Sequence, residues 1–194
     1  MLFNKLQQEK IDSLETPFYY YDLNVLNDTL QRAKVAADKR NFHVHYALKA
    51  NFNDRLLQDI QHIGFGADCV SGNEVQKAID AGFAADKITF AGVGKSDKEI
   101  RTALQHGIFA FNVESIQEME IINELAGEMG VRANVSLRIN PNVDAKTHQY
   151  ITTGLDENKF GLPNSELERA ASVLRECAHV NLVGLHFHIG SQIT

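Results

Sequence analysis

The sequence holds no tryptophan, two cysteines, three methionines and three prolines in 194 residues. The cysteines, Cys69 and Cys177, lie far apart and outside any metal-type spacing, which excludes a disulfide-stapled scaffold and a zinc knuckle. No run approaches the ~20 consecutive apolar residues that a membrane span needs. The opening stretch, MLFNKLQQEKIDSLETP, lacks the apolar core of a secretory signal. Basic charge is scarce as well: 19 Lys and Arg stand against 25 Asp and Glu, a net charge of −6. A domain that binds nucleic acid by neutralising phosphates needs the opposite balance. What remains is a soluble, reduced protein, expected in the cytoplasm. At 44% hydrophobic it has ample material for the core of one domain, or one and a fraction.

Against these absences stands a regular alternation. Short apolar or β-branched runs recur at His43–Leu48, Phe65–Val70, Ile88–Ala91, Ile108–Val113, Ala133–Ile139 and Leu182–Ile189. Helical periodicity fills the gaps, as in Ile116, Met119, Ile122, Leu125 and Met129. Four serines precede a glutamate by three residues, at Ser71–Glu74, Ser96–Glu99, Ser115–Glu118 and Ser165–Glu168. Each pair reads as a capping box at a helix start. Gly64, Gly82, Gly107 and Gly130 fall where those helices should stop. A strand recurs about every 20 to 25 residues, the rhythm of βα units in a parallel sheet.

Two architectures fit: an open doubly wound sheet, or part of a (β/α)8 barrel. The first strand-like run is not followed by Gly-x-Gly-x-x-Gly, which counts against a dinucleotide-binding open sheet. A complete barrel takes roughly 250 residues, so the expectation is an incomplete barrel of about six βα units. The stretch from Pro141 to Pro163 has no sustained period and reads as a functional loop on the C-terminal face. Ahead of the first unit, Asn4–Leu14 reads as a weak helix and Phe18–Asp22 as strand-like.

Strand alternation assigns faces. His43, His45, Ala47 and Lys49 share one face, as do Gly66 and Asp68, then Asn134, Ser136 and Arg138, then Gly184, His186 and His188. The alternate residues, such as Leu137, Ile139, Val183, Leu185 and Phe187, are apolar and suit helix packing. Each interior face therefore ends in a titratable group: Lys49, Asp68, Arg138 or His188. Taken singly, each has a plainer reading. A lysine at a strand end is usually solvated, Asp68 reads equally as a strand terminator, and Arg138 as the partner of a loop carboxylate. His43, His45 and His186 read as spacers. A metal site is not expected, because His186 and His188 lack an acidic partner at a suitable spacing. The convergence of four such groups on one mouth is what points to a site.

Several stretches resemble the N-terminal part of the diaminopimelate decarboxylases, within the alanine-racemase-like, fold-type III enzymes that use pyridoxal phosphate. They are YALKAN, GADCVSGNE, VGKSDKEI, FNVES, LRINPNVDAKTH, TGLDENKFGLP and HFHIGSQI, from Tyr46 to Ile193. The resemblance implies an α/β fold, the TIM-type barrel of that class. Lys49 would carry the cofactor as a Schiff base, His188 would stack on its ring and Ser191 would meet its phosphate. Asp68 and Arg138 would support it from the barrel wall, and Lys159 would lie near a subunit interface. Residues 1–25 would belong with a C-terminal β-domain, and 26–194 would be the first part of the barrel.

The implied activity is decarboxylation of meso-diaminopimelate to lysine by a homodimer, with a small amino acid as the ligand and neither nucleic acid nor membrane as a partner. The family's glycine-rich phosphate loop, Glu-Pro-Gly-Arg segment and Cys-Glu segment do not occur in these residues, so the chain alone is expected to be inactive. Two alternatives remain open. One is a decarboxylase for ornithine, arginine or carboxynorspermidine; the other is a non-catalytic barrel that only carries pyridoxal phosphate. A third possibility is a structural or interaction fragment with no ligand at all.

Overall fold

The computed structural model describes residues 5–140 and 160–189. Helices α1 (Lys5–Asp12) and α2 (Leu23–Asp38) lead into six strands. The strands are β1 (His45–Ala47), β2 (Gly66–Cys69), β3 (Ile88–Phe90), β4 (Ala110–Val113), β5 (Ala133–Arg138) and β6 (Val180–His186). Between them run α3 (Asp54–His62), α4 (Gly72–Asp80), α5 (Asp97–His106), α6 (Ile116–Glu128) and α7 (Leu167–Glu176). The strands make one sheet in the order β1-β2-β3-β4-β5-β6, every pair parallel. That is the strand order of a βα barrel; five of the six predicted strand runs contain one of these strands, and the sixth, Leu182–Ile189, overlaps β6, which begins two residues earlier at Val180.

The helices begin where a side chain can take the first free amides. Asp22 caps α2 by accepting from the amides of Asn24 and Val25 at 2.9 and 3.3 Å. Three of the four serines act as predicted: Ser71, Ser96 and Ser115 accept from the amides of Glu74, Glu99 and Glu118. Only α5 closes the full box, with the Glu99 carboxylate accepting from the Ser96 amide at 3.0 Å. Glu74 and Glu118 reach one residue further back, to the amides of Val70 (2.7 Å) and Glu114 (3.0 Å). The fourth box does not form. Pro163, at φ −67° and ψ 154°, starts a 3-10 turn over Asn164–Glu166. Ser165 is thus already inside a turn when α7 begins at Leu167 without a side-chain cap.

All four predicted stop glycines hold φ between 63° and 91°, a region that residues with a Cβ rarely enter. The core lies between sheet and helices: Ile88, Phe90 and Phe111 meet Ile100, Met119 and Ile122, all nearly devoid of solvent contact. The α6 stripe of Ile116, Met119, Ile122 and Leu125 is buried as its spacing predicts.

Two expectations need correction. Phe18–Asp22 forms no strand; Tyr19, Tyr20 and Tyr21 are exposed, and Asp22 is spent as a cap. A strand without a neighbour has no ladder to stabilise it, and none lies alongside among the described residues. The apolar face of β6 is the second. Val183, Leu185 and Phe187 share a face as expected, yet they stay 40%, 55% and 52% exposed, because no described helix covers them. The β6 pairing also slips between Val135 and Ser136, so that Leu182 opposes Val135 while Gly184 opposes Ser136. Val183 is the extra residue of a bulge. It restores Gly184 and His186 to the interior face after Leu182 has taken the helix face.

Candidate functional site

The interior face of the sheet is polar. His45, Asp68, Thr89, Asn112, Ser136 and His186 line a cleft of about 390 Å³. Its layers follow from the register, in which Ala47 opposes Asp68, Asp68 opposes Thr89 and Asn112 opposes Ser136. The Asn112 amide oxygen accepts from the Ser136 hydroxyl, and Thr89 donates to Asp68 at 3.2 Å. Gly66 makes room for His45: a Cβ there would stand 2.6 Å from the ring nitrogen Nδ1 and 2.4 Å from the Lys87 carbonyl. Burial holds the His45 pKa below its usual value, against the pull of the Ala67 carbonyl and Asp68.

Above the cleft, at the C-terminal ends of the strands, the predicted groups gather. Lys49 sits in the 3-10 turn Leu48–Ala50 that follows β1. Its side chain is exposed and makes no hydrogen bond or ion pair among the described residues. Asp68 is half-buried on β2. Arg138 ends β5 and pairs with Glu114, Nη1 to Oε1 at 2.7 Å, both side chains mostly buried. Its guanidinium also lies 5.5 Å from the centre of the Phe160 ring. The chain there is anchored to β5, since Leu162 donates to the Arg138 carbonyl at 2.7 Å and forms a parallel bridge with Ile139.

His188 lies two residues past β6, exposed but within the fields of Arg138, Lys49, Asp68 and Glu114. Partial burial, then Arg138 and Lys49, hold its pKa below the usual histidine value. His186 is lowered in the same direction, first by burial and then by Arg138, with Asp68 and Glu114 opposing. Its Nδ1 is buried without a hydrogen-bond partner among the described residues, as is the second oxygen of Glu114. Two such atoms beside one arginine mark a mouth built to meet further polar groups.

The mouth thus brings together Lys49, Asp68, Arg138 and His188. Ser191 and Lys159, and the segment 141–159, lie outside the described residues. The carboxylate that Arg138 pairs with is that of Glu114, the residue just after β4. Sequence reasoning passed over Glu114, although Asn112 and Glu114 alternate at the end of an otherwise apolar strand. His186, which strand parity places on the interior face, lines the cleft as assigned. No group of three or more His, Cys, Asp or Glu that could hold a metal occurs among the described residues.

A parallel βα sheet with a lysine, an acid, an arginine and a histidine at its C-terminal rim is the arrangement of a barrel-type enzyme domain, whose functional groups lie at that face. Residues 23–194 match the family model for the pyridoxal-dependent decarboxylase, pyridoxal binding domain, and the chain belongs to that family. It is 55% identical over 186 residues to a diaminopimelate decarboxylase of Bacteroides thetaiotaomicron, covering 95% of this chain and 48% of the relative. A Helicobacter pylori diaminopimelate decarboxylase is 45% identical over 186 residues. Among solved structures, the L-lysine complex of a Helicobacter pylori diaminopimelate decarboxylase mutant superposes with a TM-score of 0.89 at 42% identity, over 96% of this chain and 48% of that one. The arginine decarboxylase of Paramecium bursaria Chlorella virus, at 23% identity and TM-score 0.78, shares the fold. The chain spans about half the length of the curated relatives it matches.

Proposed function

We propose that this chain is the lysine-bearing part of a pyridoxal phosphate-dependent decarboxylase that converts meso-diaminopimelate to L-lysine. The observation that carries the reading is the 55% identity to a protein of that name along 95% of the chain. The neighbour that acts on arginine is far more distant, at 23%. The residues suit the cofactor by their chemistry. A primary amine stands exposed at the rim, an imidazole within its field offers a flat face, and two buried polar atoms lack partners beside Arg138. Pyridoxal phosphate, when bound, accepts the electron pair left behind as carbon dioxide departs.

The chain's own part is to hold and orient. Lys49 is the attachment point, and the turn Leu48–Ala50 projects it from the rim. His188 would offer the flat face of its imidazole to the cofactor ring and help to orient it. Arg138, fixed by Glu114, and Asp68, fixed by Thr89, present opposite charges at set positions before the reaction starts, so that little reorganisation is needed during it. Ser191 is assigned to the phosphate. Residues 1–25 are assigned to a second domain, the whole enzyme to a homodimer, and its location to the cytoplasm, which two free and buried cysteines suit. No helix among the described residues is long and apolar enough to cross a membrane.

The test is titration of the purified chain with pyridoxal phosphate, borohydride reduction and peptide mapping. A reduced adduct on Lys49, absent in Lys49→Ala, supports the assignment; an adduct elsewhere, or none in folded protein, overturns it. The chain alone is expected to show no turnover of meso-diaminopimelate with added cofactor, and measurable lysine formation would contradict that.

A further inference from the structure

Lys95, in the loop between β3 and α5, is among the most deeply buried charges of the molecule, with a side chain 1% exposed. An ammonium has three N–H bonds to give, and all three are used. They go to the carbonyls of Gly92 (2.8 Å) and Asn112 (3.0 Å) and to Glu118 Oε1 (2.6 Å). The Phe90 ring closes the fourth side, its centre 5.3 Å away. With no hydrogen left for a ligand, Lys95 binds nothing from solution. Nor does burial of such a pair bring clear stability, since apolar replacements of buried ion pairs are often neutral or better.

What the pair does is join three chain segments around one residue. Glu118 takes Lys95 with one oxygen and the Glu114 amide with the other, at 3.0 Å. Gly92, whose carbonyl is held by Lys95, donates its own amide to Glu114 Oε1 at 3.1 Å. That same oxygen receives Arg138 at 2.7 Å. Lys95 therefore fixes Glu114 at its backbone through Glu118 and at its carboxylate through Gly92. Among the described residues the second Glu114 oxygen has no partner, so these links are what keep the carboxylate turned to Arg138.

We propose, on the reading of the rim as a cofactor site, that Lys95 is a positioning residue: through Glu118, Gly92 and Glu114 it sets the Arg138 guanidinium at the mouth. The test compares the wild-type chain with Lys95→Met and with the double variant Lys95→Met/Glu118→Leu. The single variant leaves Glu118 buried and unpaired and is expected to lower the urea midpoint. The double variant removes both charges and is expected to recover most of that loss.

The deciding readout is the order of the Arg138 side chain, from nitrogen relaxation at Nε without cofactor. Loss of order at Arg138 in the double variant, despite a recovered urea midpoint, is the expected result. Wild-type order in the double variant overturns the proposal, because Lys95 would then serve only the fold. Pyridoxal phosphate affinity, read in parallel, should weaken about tenfold in the double variant. A wild-type chain that fails to take the cofactor would sink the proposed function alone, since the Arg138 order would still decide the role of Lys95.

Discussion

At the scale of single residues, the rim depends on pairs in which each member justifies the burial of the other. Replacing Glu114 with leucine leaves Arg138 mostly buried without its carboxylate. A loss of roughly 3 kcal/mol is expected, as for other buried pairs broken from one side, and urea denaturation measures it. Gly66→Ala acts by volume instead. Its Cβ would press on the Lys87 carbonyl and the His45 ring, for a cost of roughly 1–3 kcal/mol by overpacking. A thermal midpoint unchanged by Gly66→Ala would mean that the His45 ring relaxes freely. Lys49, Asp68 and Arg138 could be read from strand parity, because each ends an alternating run. Lys95 could not. It follows a turn, and only the folded loop reveals that its ammonium turns inward to two carbonyls and a glutamate.

At the scale of elements, the Ser-x-x-Glu pattern identified three helix starts and misplaced a fourth. The difference lies in what precedes the serine. Ser71, Ser96 and Ser115 are extended residues at strand or loop ends, whereas Ser165 follows a proline-initiated turn. Ser96→Ala should therefore cost about 1 kcal/mol, while Ser165→Ala should stay within about 0.5 kcal/mol. Equal effects in chemical denaturation would contradict the assignment. The bulge at Val183 was equally hidden, since strict alternation along LVGLHFHI gives the right parity for His186 and the wrong one for Leu182. Tertiary pairing, which the local pattern does not contain, sets that slip. Phe18–Asp22 shows the same limit: β-type residues make a strand only beside another strand.

At the scale of the whole molecule, three histidines give stability a pH slope. His45, His186 and His188 all have folded pKa values below 6.5, with burial as the first cause. Below that value the unfolded chain takes up protons that the folded one resists, so stability is lost as pH falls through 6.5 and is fully present above it. Glu118, raised by burial, contributes with the opposite sign, and Glu99, lowered by the Ser96 and Gly72 amides, with the same sign as the histidines. The urea midpoint should fall between pH 7.5 and 5.5, and His45→Gln should flatten that fall; an unchanged slope would remove His45 from the account.

Among the described residues the sheet order repeats the chain order. Every new strand therefore finds its place beside the one made just before it, and no unit has to wait for a distant segment to arrive. Assembly can proceed by accretion as the polypeptide leaves the ribosome, each βα unit serving as the template for the next. The same arithmetic runs backwards on unfolding. Among the described strands β2 to β5 are paired on both sides, so hydrogen exchange in this chain should be slower there than in β1 and β6.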